Sequence, residues 1–322
     1  MRALGAPQQR VDARVLVVNP VVDDVLEFIA AACGVIDLRD RLDAVADLDA
    51  AERELLTAVI TSGIVGMQGH HMDLLPNLKL VACFGVGHEN VDLAAARARD
   101  IAVTNAPGTN GETVADHAVM LALAAARGLV VVDRAVREGR WLDARRAYQP
   151  TLSGSQVGVV GLGAIGAAIA RRAEACGAEV AYVARGVKEV PYRRASSIRE
   201  LAEASDFLIV ALPGGADTHH VIDAEVLAAL GPGGVLVNIG RGSVVDSDAL
   251  ADALEDGAIH AAALDVVEGE PEVPARLLAA PGLTFTPHMA GRSPSGQRAQ
   301  CERALDNLAR MVRGEPYVSR VA

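Results

Sequence analysis

Gly161, Gly163 and Gly166, in the run VGVVGLGAIG at 157–166, stand at the G-x-G-x-x-G spacing with which a main chain closes around a pyrophosphate. The first glycine permits a tight turn, the second lets backbone approach phosphate oxygens, and the third lets helix pack on strand. Ala164 and Ile165 then open a helix whose first N–H groups lack internal acceptors. An apolar run precedes the turn and an alanine-rich, helix-periodic run follows it, which is the context the motif needs. Further along, three segments each set an ionisable side chain just beyond a buried apolar run: Arg241 in NIGRGSVVD, Glu270 in AALDVVEGEP and His288 in TPHMAG. In a doubly wound sheet such positions share the edge where ligands bind, so a guanidinium, a carboxylate and an imidazole meet on one rim.

A dinucleotide fold usually carries an Asp or Glu about 20 residues past the glycines, for the adenosine ribose. Here the run EVAYV ends instead in Ala184 and Arg185, with Lys188, Arg193 and Arg194 close behind. A ribose 2′-phosphate is repelled by a carboxylate and attracted by a guanidinium, whose planar fork matches its oxygens. NADPH (NADP) is therefore favoured, with NAD as the alternative cofactor. The plainer reading of these cations is a solvated surface loop.

The elements that must hold these groups follow from periodicity. Strand-type runs at 15–19, 58–61, 80–84 and 102–104 alternate with helical ones such as 22–32 and 93–99. A second series starts at 157 and continues through 179–183, 207–211, 235–239, 261–264 and 283–286. This alternation predicts an α/β chain of two doubly wound parallel-sheet domains, each sheet covered on both faces. The Ala/Leu-rich stretch 113–137 reads as one long helix carrying the chain from the first domain into the second. An amphipathic helix over 294–312 has no strand of its own and needs an existing sheet, for which the first domain is the candidate. The expected division is 1–108 with 289–322 against 109–288.

At 322 residues, 51% hydrophobic and 22% charged, the chain is globular and long enough for two cores, built mainly from aliphatic residues because only 3% are aromatic. A net charge of −11 argues against nucleic acid or an anionic membrane as partner, since both require a basic footprint. Cys33, Cys83, Cys176 and Cys301 are far apart and read as free thiols. The N-terminal stretch lacks an apolar core for a signal peptide and no run is long enough to span a bilayer, so a cytoplasmic location is expected. His70-His71 and His219-His220 are adjacent pairs that point apart on regular structure, and no metal is expected. His117 beside Asp116 reads as an interior or interface histidine, and the mixed-charge run 134–146 around Trp141 as a solvated or dimer-contact face.

Together the glycine turn, the three later segments and FGVGHENVD at 84–92 resemble the D-isomer-specific 2-hydroxyacid dehydrogenase family across nearly the full chain. The 84–92 run, TNAPGTN from Thr104 and the missing ribose acid look most like its glyoxylate, hydroxypyruvate and hydroxyphenylpyruvate reductase branch. The resemblance implies a Rossmann cofactor domain inserted into a discontinuous, flavodoxin-like substrate domain. It implies reduction of a small 2-keto acid at C2 by NAD(P)H to the D-2-hydroxy acid, and a homodimer. It makes His288 the proton donor. Glu270 would be its partner, and Arg241 the fork that grips carboxylate and carbonyl oxygen together. An unperturbed imidazole, pKa about 6.5, is only about one quarter protonated at pH 7, and a paired carboxylate raises that fraction.

The resemblance also puts the substrate carboxylate on backbone N–H groups of Val86 and Gly87, residues 64–67 on the pocket wall with Met67 near the substrate tail, Asp265 beside the nicotinamide, and Leu212 and Pro213 under the cofactor. Plain packing or turn roles compete for the last three. Two alternatives keep the scaffold: NAD-dependent phosphite or formate oxidation, and a non-catalytic nucleotide-sensing corepressor. Formate enzymes carry Gln where Glu270 stands, which argues against that chemistry. The 34 residues after His288 are expected to leave no space for a peptide-binding tail or a regulatory domain.

Overall fold

A computed structural model describes residues 4–145 and 149–322. Arg146, the end of the mixed-charge run, and the first three residues lie outside the described residues. The chain divides into two compact units, 1–110 with 292–322, and 111–291. The second unit is thus inserted into the first.

The first unit holds strands β1 (Arg14–Val17), β2 (Gly34–Asp37), β3 (Ala58–Ser62), β4 (Leu80–Phe84) and β5 (Ala102–Thr104), all parallel, in the order β2-β1-β3-β4-β5. This is the flavodoxin-like order. β3 and β4 run almost entirely buried, as strands covered on both faces do. The terminal helix Pro294–Arg313 packs Cys301, Ala304, Leu305 and Leu308 into the core beneath β1, β3 and β4, each buried Leu contributing about 1.5–3 kcal/mol. After it the chain returns along β5, where Val321 N–H donates to Val103 O at 2.7 Å and Val103 N–H to Ala322 O at 3.0 Å.

The second unit holds β6 (Gln156–Val160), β7 (Glu179–Val183), β8 (Arg193–Arg194), β9 (Phe207–Val210), β10 (Val235–Asn238), β11 (Ala261–Leu264) and β12 (Leu283–Phe285), in the order β12-β11-β10-β9-β6-β7-β8. All pairs are parallel, and the order reverses between β6 and β9, the position at which doubly wound sheets bind ligands. This is the Rossmann order with one added strand. Asn238 pairs with Leu264 and Leu264 with Phe285, so β10, β11 and β12 end level.

Two strands escape sequence reading because they lie on sheet edges: β2 is only partly buried, and β8 is two exposed arginines. The expected single helix over 113–137 is two, Gly111–Ala126 and Leu129–Arg137, broken where Gly128 turns left-handed at φ 56°. The first lies inside the second unit. Its Ala115, Ala118, Ala122 and Ala125 join the core with Ala168, Ile169 and Ala173 of the helix after β6, small side chains allowing the close approach. Among the described residues no helix is long and apolar enough to cross a membrane.

Candidate active site

The glycine turn after β6 is built as its spacing requires. Gly161 has φ 95°, and a Cβ there would meet Ala211 O at 2.8 Å. A Cβ on Gly166 would lie 1.9 Å from Gly161 O, so helix Ala164–Ala175 can sit on the turn only through a glycine. Gly163 opposes nothing within 4 Å, and no side chain caps the helix it starts. Open space in front of uncapped helix N–H groups fits a pyrophosphate. Leu212, ahead of Pro213, reaches the same turn, its Cδ2 standing 2.9 Å from the Gly161 Cβ position.

At the end of β7 the carbonyl of Ala184 accepts from Arg194 Nη2 at 3.0 Å, while Arg193 is tied to Glu200 at 3.1 Å. β8 pairs Arg194 with Tyr182, which brings its guanidinium back to Ala184 and the exposed Arg185. The sequence shows four cations in this stretch, and only the pairing of β8 separates Arg194 from the rest.

Arg241, Glu270 and His288 lie beyond the level ends of β10, β11 and β12, which stand about 4.8 Å apart strand to strand. Buried Asn238 folds the Arg241 turn: its Nδ2 donates to Arg241 O at 2.9 Å and its Oδ1 accepts from Gly240 N–H at 3.0 Å. Arg241 Nη1 donates to Gly240 O at 2.8 Å. A Cβ on Gly242 would meet Val267 C at 2.0 Å, so the Arg241 turn presses directly on the strand end that leads to Glu270.

Glu270 Oε1 accepts from His288 Nδ1 at 2.5 Å, both side chains about 30% exposed, and Glu270 Oε2 accepts from Val267 N–H at 3.3 Å. An ionised carboxylate only accepts, so the proton on Nδ1 belongs to the histidine and Nε2 is the ring nitrogen left for another partner. His288 itself is held at φ 50°, a conformation unusual for a non-glycine residue. Its N–H reaches Asp265 O at 2.8 Å.

Asp265, expected beside a nicotinamide, is 2% exposed and its carboxylate is directed at the turn that carries His288. Oδ1 accepts from Thr286 Oγ1 at 2.6 Å and Met289 N–H at 2.9 Å, and Oδ2 from Ala290 N–H at 3.0 Å. Because the Thr286 hydroxyl donates to Asp265, it accepts from His117 Nε2 at 3.0 Å, which makes His117 an interior histidine supporting the same turn. Hydrogen bonds to a charged group contribute about 1.5–3 kcal/mol each. That is ample to hold the strained histidine.

The first unit places Met67 differently from expectation. Backbone bonds to Asn90 and Asp92 draw it inward, and its side chain is fully buried in the core with Val18, Val59 and Val91. Ile64 is the exposed apolar residue of that segment. After β4, Gly85 turns at φ 89° and Val86 is 44% exposed. Gly85 O accepts from Ala106 N–H at 2.7 Å, and Val86 O from Asn105 Nδ2 at 2.8 Å.

The paired histidines also differ from expectation, since they do converge on acids. His219 and His220 stack at 3.8 Å and both reach Glu268, because His220 sits at φ 50° in an irregular turn. His71, Asp43 and His70 form a second group. In each of these two groups the potential ligand atoms lie within 4.8 Å of one another. Thr286, Asn238 and Asn105 were beyond sequence reasoning as individual residues, and Arg194 was legible only as one of four cations; Thr286, Asn105 and Arg194 act through partners ten or more positions away, Asn238 through its own turn.

A family profile described as "D-isomer specific 2-hydroxyacid dehydrogenase, NAD binding domain" matches residues 119–290. The chain is 38% identical over 270 residues to a glyoxylate/hydroxypyruvate reductase of Arabidopsis thaliana, covering 84% of this chain and 86% of that protein. It is 38% identical over 276 residues to hydroxyphenylpyruvate reductase of Plectranthus scutellarioides, covering 85% and 88%. Among solved structures it is similar to the NADPH-dependent glyoxylate/hydroxypyruvate reductase of Sinorhizobium meliloti in complex with NADP and malonate, with a TM-score of 0.85, 40% identity, and coverage of 96% and 97%.

Proposed function

Because the chain belongs to the D-isomer-specific 2-hydroxyacid dehydrogenase family, we propose that it reduces small 2-keto acids of the glyoxylate and hydroxypyruvate type to D-2-hydroxy acids. The observation that carries the reading is the Glu270–His288 pair at 2.5 Å, on strand ends level with that of Arg241 and in the unit that holds the glycine turn.

In this reading residues 109–288 form the dinucleotide-binding domain, and 1–108 with 289–322 the substrate-binding domain. Gly161, Gly163, Ala164, Ile165 and Gly166 hold the pyrophosphate, and Leu212 and Pro213 lie beneath the nucleotide. When bound, the reduced nicotinamide supplies the hydride that C2 of the keto acid receives. The chain's own residues do the rest. Arg241 grips the carboxylate and carbonyl oxygen through its fork, an interaction that strengthens as negative charge gathers on that oxygen. Glu270 orients the imidazole through Nδ1 and leaves Nε2 to face the substrate oxygen. His288 passes the Nε2 proton to the oxygen, which completes the alcohol. Val86 and Gly87 N–H groups receive the carboxylate, and Asp265 acts on the proton donor through its turn.

NADPH is the favoured cofactor. Ala184 leaves space where a carboxylate would repel a 2′-phosphate, Arg185 stands beside it, and Arg194 reaches the same strand end. The exposed apolar residues Met120, Leu123, Val130, Val131, Trp141 and Leu142, spread over consecutive helices, fit a homodimer interface, which sedimentation at twice the chain mass checks. The four cysteines are all free, as suits a cytoplasmic enzyme.

The test is a panel of 2-keto acids, each with NADPH and with NADH, followed by loss of reduced-nicotinamide absorbance. Turnover of small 2-keto acids with NADPH above NADH is expected. No turnover with either nucleotide defeats the reading.

A further inference from the structure

Two consecutive carbonyls in the turn after β4 are held by one neighbouring segment. Gly85 O accepts from the backbone N–H of Ala106 at 2.7 Å, and Val86 O accepts from the side-chain Nδ2 of Asn105 at 2.8 Å. In a planar trans peptide the N–H points opposite to the C=O. Holding Gly85 O therefore aims the Val86 N–H away from residues 105–106, and holding Val86 O aims the Gly87 N–H to the same side. Among the described residues no backbone carbonyl accepts from either N–H. Two adjacent N–H groups presented together form an anion-binding concavity.

The two anchors differ in kind. The bond from Ala106 is backbone to backbone and survives most substitutions. The bond from Asn105 exists only because residue 105 carries a side-chain donor. The segment that bears it is itself pinned: Asn105 N–H donates to Ser319 O at 3.2 Å, and Val318 is held through both backbone groups by buried Asn307, at 2.8 and 3.0 Å. His88 Nδ1 also approaches Val86 O, at a longer 3.3 Å.

We infer that Asn105 is the positioning residue of this anion nest: it fixes the Val86–Gly87 peptide so that the Gly87 N–H joins that of Val86 in receiving the substrate carboxylate, without touching the substrate itself. The inference rests on the reading that the nest binds that carboxylate. Asn105→Ala removes the donor and leaves the weaker His88 contact. Asn105→Asp keeps the shape but sets carboxylate oxygens against the Val86 carbonyl, so the peptide swings away. In Asn105→His, Nδ1 occupies the donor's place.

The experiment measures steady-state kinetics of the full-length protein with glyoxylate and with its uncharged methyl ester. Nucleotide dissociation constants and melting temperatures are recorded alongside. For Asn105→Ala the expected result is an approximately tenfold rise in KM for glyoxylate, with kcat, KM for the ester and nucleotide affinity each within about twofold of the parent. Asn105→Asp should lose more, and Asn105→His should recover most of the loss. Parent-like glyoxylate KM in both the Ala and Asp variants, while the parent still prefers the acid to the ester, overturns the inference and leaves the nest reading standing. Parallel loss of kcat, ester turnover and melting temperature, without rescue by histidine, overturns it in favour of a merely structural role. If the parent itself accepts the ester as readily as the acid, the nest reading fails, and the inference with it.

Discussion

The two units each end a central strand in a glycine at positive φ, Gly85 after β4 at 89° and Gly161 after β6 at 95°, yet they aim the following N–H groups by different means. After Gly161 a 12-residue helix begins at Ala164, and its own geometry turns the first N–H groups outward. After Gly85 the next helix starts only at Leu93, and a neighbouring segment does the work through one backbone and one side-chain bond. A helix-organised turn carries its instructions locally. A turn organised by its neighbour depends on residues about 20 positions away, so its key residue is silent in any local motif. The second unit also adds side-chain chemistry at its strand ends, whereas the first offers backbone donors.

If that division is right, removing side chains from the second unit has the largest effect. His288→Ala or Arg241→Ala should lower kcat by about 10²–10⁴ while the nucleotide dissociation constant stays within about twofold, checked by single-turnover kinetics and nucleotide titration. Normal turnover in either would break the comparison. Next come the two glycine turns. Gly166→Ala forces a Cβ to within 1.9 Å of Gly161 O and should cost about 1–3 kcal/mol of stability along with nucleotide binding, measured by thermal melts and titration. Gly85→Ala has open space around its Cβ, only Gln300 Nε2 lying at 3.9 Å, so it should cost about 1–2 kcal/mol of backbone strain and raise the keto-acid KM while sparing nucleotide affinity.

A smaller change is expected at the nucleotide's far end. Ala184→Asp combined with Arg185→Ser should shift the NADPH to NADH preference by about tenfold or more, since a charge-assisted contact worth about 1.5–3 kcal/mol becomes a repulsion. An unchanged ratio would mean the phosphate is held elsewhere. The smallest effect concerns thiols. Burial pushes the Cys83 and Cys301 thiols up to about 12 and Cys33 to about 11, while Cys176 is exposed. Only thiolates alkylate readily. At pH 8 one equivalent of iodoacetamide should enter, at Cys176, with activity retained and further labelling appearing as pH rises. Early labelling of Cys83 would show that the strand leading into the Gly85 turn opens more readily than its burial implies.

What could be read from residues alone follows the same division. The places of Arg241, Glu270 and His288 beyond strand ends were legible because each follows an apolar run, and the Glu270–His288 bond follows from neighbouring parallel strands that end level. Met67 misled because its own side chain fits a pocket wall as well as a core, and only its backbone bonds to Asn90 and Asp92 decide which. Asp265 was legible as a polar residue at a strand end. Its engagement with Thr286, Met289 and Ala290 depends on how the next strand's turn folds back. The break at Gly128 and the meeting of His219 with His220 at Glu268 both turn on single residues adopting positive φ, which periodicity cannot register.

By itself, then, the sequence determined the two α/β units, the glycine turn and the chemical identity of the groups beyond β10, β11 and β12, because apolar period and motif spacing are local properties of a chain. Only the tertiary structure decided which donor steadies which carbonyl: that Asn105 holds Val86 O, that Asp265 supports the His288 turn, and that Arg194 returns to Ala184. Hydrogen bonds act over about 3 Å, so partners far apart in sequence are chosen only once strand order and register have set the distances.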